Sequence, residues 1–143
     1  MRDILFKAKR IDNGEWVEGA YFPKTKYPTK KNRTFIWVWQ IGKIYCDYNC
    51  GYSPYEVDEK TICQYTGLTD KNGNKIWEND IVNKIDTNGL GYHRERKCKV
   101  SFDELGYWLL TTEYGDGYWL GEFDSEQLEV IGNIFDNPEL CRQ

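Results

Sequence analysis

Apolar positions in this chain alternate with a period of two over short runs, and no segment sustains the 3.6-residue period of an amphipathic helix. Ile4, Phe6 and Ala8 fall on one side of the first run, and Leu5, Lys7 and Lys9 fall on the other. Asp12-Asn13-Gly14 supplies a hairpin turn, because Asn-Gly accepts positive φ at little cost. The chain then returns over residues 15–21, with Val17 and Tyr21 on one face and Trp16 and Ala20 on the other. Residues 34–41 are apolar on both faces: Phe35, Trp37, Trp39 and Ile41 alternate with Ile36, Val38 and Gln40. That pattern predicts a strand buried on both sides or held in an interface. Residues 44–56, rich in Tyr and carrying Gly51 and Pro54, read as an irregular connection. Shorter strands are expected over 61–65, 81–85, 97–102, 107–112, 118–120 and 128–134. Cys98, Val100 and Phe102 point inward in this reading. Residues 22–33, 86–94 and 121–127 read as loops. Strands spaced roughly 8–12 residues apart with turn signals between them argue for an all-β sandwich or barrel.

The predicted fold is mostly β. Residues 1–57 form an N-terminal β unit offering an oligomerisation surface. Residues 58–143 form a C-terminal small β-barrel of SH3-like type. A short helical turn ends the chain, with Asn137 as its cap and Pro138 at its first position.

The densest turn chemistry lies in the middle. Asp70-Lys71-Asn72-Gly73 has the residues of a tight turn, with Leu68 and Ile76 placed to flank two strands that pair back on each other. Glu78-Asn79-Asp80 makes a second turn, where Asn79 tolerates a left-handed backbone. The run from Gln64 to Val82 resembles the YopX family of phage and prophage proteins, whose pattern reads Q-Y-T-G-L-x-D-x-N-G-x-x-I-x-E-G-D-I-V. Asn79 stands where that pattern has Gly, a change that keeps access to positive φ. Two further stretches are similar to the family: Ile4 to Arg10 with Trp16 to Gly19, and Glu129 to Leu140. Residues 24–56 match no part of the pattern. The resemblance implies a small, mostly β protein of phage type, and it brings no biochemical role with it.

Six Trp, eleven Tyr and six Phe give ample surface to bury, which excludes a wholly disordered chain. The N-terminal apolar run of three residues is far short of a signal-peptide core, and no stretch approaches a membrane span. The expectation is a cytoplasmic protein, inside the host cell if phage-encoded. The five cysteines, Cys46, Cys50, Cys63, Cys98 and Cys141, are odd in number and read as free thiols. Cys46 and Cys50 could begin a zinc site, but the remaining ligands would have to come from Cys63, Cys98, Cys141 or His93, none at a recognised spacing. No cofactor is expected.

A net charge of −4 hides an uneven distribution. Residues 100–143 carry one basic residue, Arg142, against ten acidic ones, so the remaining 99 residues are net basic. Such polarity suits a partner surface or head-to-tail self-association. Residues 22–33 hold Lys24, Lys26, Lys30, Lys31 and Arg33 with no acid. A second basic segment spans residues 94–99 and includes Arg94, Arg96 and Lys97.

No Gly-rich phosphate loop, activated nucleophile or two-His zinc helix occurs, so an enzyme is the least supported class. His93, the one histidine, has no catalytic constellation around it in the sequence. Two functional readings stand. The first is a non-catalytic adaptor or inhibitor that self-associates and holds a host or phage protein through aromatic β surfaces and its acidic C-terminal region. The second is a nucleic-acid binder using both basic segments, with Trp37 or Trp39 as a stacking platform. A pI near 5.1 favours the first.

Overall fold

The computed structural model describes residues 3–22, 35–39 and 52–141, and for residues 22, 35, 37–39 and 52–54 it describes the backbone. The alternating runs become strands: β1 (Phe6–Lys9), β2 (Trp16–Phe22), β3 (Phe35–Trp39), β4 (Tyr52–Glu56), β5 (Cys63–Thr69), β6 (Lys75–Trp77), β7 (Asp80–Thr87), β8 (His93–Phe102), β9 (Trp108–Thr112), β10 (Gly117–Trp119) and β11 (Leu128–Asn133). All their pairings are antiparallel, and they make two sheets.

The chain divides into two compact units, Met1–Gln64 and Tyr65–Gln143. In the first, the strand order runs β4-β3-β2-β1 and ends on the opening residues of β5, where Phe6 pairs with Gln64 and Lys7 with Cys63. Ala8, Ile36 and Val57 form its buried centre, with Phe6, Val17, Tyr21, Tyr55 and Ile62 packed around them. The predicted alternation of β1 holds, since Phe6 and Ala8 share the core side. Residues 52–56 are a strand where a connection was expected. Pro54 obscured it, but β4 is the terminal strand of the order, and an edge strand tolerates a residue with no N–H to donate.

In the second unit, β5 and β6 form a hairpin, and a five-stranded sheet runs β10-β9-β8-β7-β11. Its core is Ile76, Val82, Cys98, Val100, Leu110, Leu120 and Leu128. Among the described residues no pairing joins β10 to β11, so the closure that an SH3-like barrel needs is not shown. The physical reason lies between them: β10 is three residues long and passes straight into 3-10 turns at Leu120–Glu122 and Ser125–Gln127. These turns bury Leu120 instead of extending the ladder. Likewise β7 and β8 pair out to Thr87 and His93, so the loop expected over 86–94 shrinks to its glycine-bearing tip.

The central turn is held by one carboxylate. Asp70 is 2% exposed. Its Oδ1 accepts from the N–H groups of Asn72 and Asn74, both at 2.9 Å, and its Oδ2 accepts from the N–H of Val130 at 2.9 Å. The Lys71 N–H donates to the Leu128 carbonyl at 2.9 Å, and the Lys71 ammonium pairs with Glu129 at 2.8 Å. The turn is therefore tied to β11, 60 residues away in sequence. Asn79 adopts φ +66°, as the second turn requires.

At the far end of β11 the chain bulges between Val130 and Gly132. The short helical turn forms as a 3-10 turn over Pro138–Cys141. Asn137 turns back from it, and its Oδ1 accepts from the Asn133 N–H at 3.3 Å. A Cβ placed on Gly132 would stand 2.5 Å from that same oxygen and 3.0 Å from the Asn137 Cβ. Gly132→Ala is therefore expected to destabilise the protein by about 1–2 kcal/mol, as overpacking does. Urea unfolding checks this, and Gly132→Ala in an Asn137→Gly background should recover part of the loss.

Candidate functional site

The two ladders of β8 are unequal. Its His93–Lys99 stretch pairs with β7, whereas β9 pairs only from Cys98 to Phe102. Beyond Cys98 the chain of β9 turns away through Glu113-Tyr114-Gly115-Asp116, with Gly115 at φ +86°. The divergence opens a cleft of about 560 Å³. Arg94, Arg96 and Lys97 line it, so three of the residues picked out from sequence meet in one place. Glu95, Glu113 and Asp116 line it as well, together with Asn83 and Tyr114. Glu95 accepts from the Asn83 amide at 2.8 Å and lies 2.9 Å from the His93 ring. The hydrogen bond from Asn83, reinforced by that from His93, holds the Glu95 carboxyl below its ordinary value. Carboxylates thus match the cations within the cleft.

Arg96 is partly withdrawn from solvent, and its guanidinium donates to the Tyr118 hydroxyl at 2.7 Å. Next to it Lys84, 4% exposed, pairs with Asp86 and lies 4.7 Å from the Tyr118 ring centre and 4.8 Å from that of Phe123. These contacts anchor β10 and the following 3-10 turn to β7 and β8. Lys24, Lys26, Lys30, Lys31 and Arg33 lie outside the described residues, as do Cys46 and Cys50. Trp37 and Trp39 contribute backbone to β3, and their side chains lie outside the description.

A second surface was not singled out by sequence. Tyr107 and Trp119 are 50% and 54% exposed, and their rings stack at 5.5 Å and 18°. On the other face of the sheet, since it lies opposite Trp108 and not Leu109, Phe102 is 51% exposed and packs edge-on against Trp108 at 4.8 Å. It sits at the rim and not inward as its alternation predicted, because the sheet core ends at Val100. Leu105 projects from the adjoining turn. That turn is built as expected: the Asp103 N–H donates to the Tyr107 carbonyl at 2.8 Å, and Gly106 takes φ +90°. Register then sets the pair, since Trp119 lies opposite Leu109 and Leu120, wholly buried, fixes the strand beside it. Exposed Glu104 and Glu122 flank the aromatic rings in sequence. Periodicity marked these residues as strand positions but cannot say which end of a face stays uncovered.

Among the described residues no group of three or more His, Cys, Asp or Glu is placed to hold a metal ion. Cys63 and Cys98 are buried, and Cys141 is an exposed free thiol. Burial pushes the Cys98 thiol up to about 11, against the pull of Lys84 and Arg96. Alkylation of the native protein at neutral pH, followed by peptide mapping, is expected to mark Cys141 and leave Cys98 unmodified.

The family model described as YopX protein matches residues 6–142. The chain belongs to the YopX family. The match includes the Asp70 turn, the Gly132 bulge and both surfaces of the second unit, so these lie within the YopX region and not in an appendage. One solved structure similar to this YopX chain is the crystal structure of protein EF1440 from Enterococcus faecalis. It is 20% identical, with 99% of this chain and 100% of that chain covered and a TM-score of 0.49. No curated protein matches the sequence. No helix among the described residues is long and apolar enough to cross a membrane.

Proposed function

We propose that this YopX-family chain is a non-catalytic protein-interaction module, an adaptor or inhibitor that self-associates and is carried by a phage or prophage in the host cytoplasm. The observation that carries the reading is the stack of Tyr107 on Trp119, both half-exposed, on the face of the sheet turned away from its core. Aromatic rings held rigidly at the surface bury large area at little entropic loss, which is why they anchor protein interfaces.

A nucleic-acid interface is the second reading, favoured by Arg94, Arg96 and Lys97 sharing one cleft. Glu95, Glu113 and Asp116 in the same cleft oppose phosphate, and the net charge of −4 does the same at long range. The two readings separate by affinity capture from a lysate of the cell that carries the gene, with and without nuclease. A specific protein retained after nuclease supports the interaction module. Recovery of nucleic acid, with associated proteins lost on digestion and binding that falls steeply with salt, supports the second reading instead.

A further inference from the structure

We propose that the Tyr107–Trp119 stack is a seat for a guanidinium group, and that its occupant is an arginine on an extended basic segment of a partner protein. The proposal rests on the interaction reading above and names the class of partner. Three observations converge. The stacked rings present half-exposed π faces, whose negative quadrupole attracts a cation laid flat upon them. Glu104 and Glu122, both exposed, each lie three residues along the chain from one ring of the pair, and a carboxylate that reaches a stacked guanidinium can accept from its edge. β10 is the terminal strand of its sheet, so among the described residues its outer edge is open to an added strand bearing side chains at alternate positions.

Charge selects this occupant over others. The second unit, residues 65–143, carries fifteen acids against eight bases, so at long range a basic segment is drawn in and a phosphate chain is repelled. A nucleobase would stack on Trp119 equally well, but its phosphates would be repelled by the net negative charge of the unit. Guanidinium is favoured over ammonium because it is planar, less strongly hydrated and able to stack while it donates sideways.

The test uses the full chain and a synthetic peptide with arginine at alternate positions between glycine and serine. Parallel peptides carry lysine or glutamate instead, and binding is read by calorimetry and by indole N–H shifts in NMR spectra. The arginine peptide should bind about five- to tenfold more tightly than the lysine one, and the glutamate peptide should not bind. Trp119→Ala and the pair Glu104→Gln with Glu122→Gln should each weaken arginine binding about five- to tenfold, with circular dichroism unchanged. Equal affinity for the arginine and lysine peptides, or undiminished binding by Trp119→Ala, overturns the guanidinium seat. A fall in solution mass on Trp119→Ala, with no peptide bound, overturns it too and makes a second copy the occupant. In that last case the interaction reading survives, so the two failures are distinguishable.

Discussion

Asp70→Ala is expected to destabilise the second unit by about 3–4 kcal/mol, more than any other single truncation considered. The carboxylate accepts the N–H groups of Asn72, Asn74 and Val130, each at 2.9 Å, and the Asn74 amide at 3.3 Å. Alanine removes all of these acceptors at once at a site 2% exposed, where water cannot easily replace them. It also cuts the link between the turn and β11. Asp70→Asn keeps one carbonyl oxygen, so it should fall between wild type and alanine. Urea unfolding followed by tryptophan fluorescence measures both, and a loss under about 1 kcal/mol for Asp70→Ala would contradict this account of the turn.

The same carboxylate predicts a pH dependence. Burial pushes its proton affinity up, but hydrogen bonds from Val130, Asn74 and Asn72 outweigh that, and the carboxyl is held below its ordinary value of 3.8. A folded value below the unfolded one means the stabilisation is complete above the unfolded value. It is lost as pH falls through the folded one. Wild-type stability should therefore drop below about pH 4, and Asp70→Asn should lack that part of the drop.

Asp86→Ala is expected to destabilise by about 2–3 kcal/mol, whereas Lys84→Met should change stability by less than about 1 kcal/mol. The asymmetry follows from burial. Lys84 is 4% exposed, with its ammonium on Asp86 and against the Tyr118 and Phe123 rings. Removing Asp86 strands a charge among apolar groups, with only cation–π attraction left to hold it. Removing Lys84 leaves a carboxylate with 29% of its side chain in water, and methionine refills the space between the rings. In the double variant Lys84→Met with Asp86→Ala, most of the Asp86→Ala loss should be recovered. Losses that simply add would show that the pair is not coupled.

Much of this architecture was legible from residue order because the turns state their own geometry. Asp12-Asn13-Gly14, Asp70-Lys71-Asn72-Gly73, Glu78-Asn79-Asp80 and Asp103-Glu104-Leu105-Gly106 all fold as turns, with Asn79 and Gly73 at positive φ. The alternation in β1 and in the middle of β8 placed Phe6, Ala8, Cys98 and Val100 on core faces. Three features escaped for separate reasons. Pro54 hid an edge strand, since proline penalises a central strand and not an outer one. The 3-10 turns at Leu120 and Ser125 are too short to carry a period, so the open end of the sheet was not apparent. Asp70 was read as a local turn residue, yet its partner Val130 lies 60 residues away and nothing local points to it.

The candidate site was legible in part. The basic run at Arg94, Arg96 and Lys97 was visible, but the acids from the β9–β10 turn that share its cleft were not. Tyr107 and Trp119 come from two separate strand ends, and only pairing register brings them together.

The most direct test of the account is affinity capture after nuclease treatment, comparing wild type with two surface variants. One is Tyr107→Ala with Trp119→Ala, and the other is Arg94→Glu with Lys97→Glu. The account predicts that the captured protein is lost with the aromatic variant and retained with the charge-reversed one. Retention by the aromatic variant, with loss on reversing Arg94 and Lys97, would contradict it and move the function to the cleft.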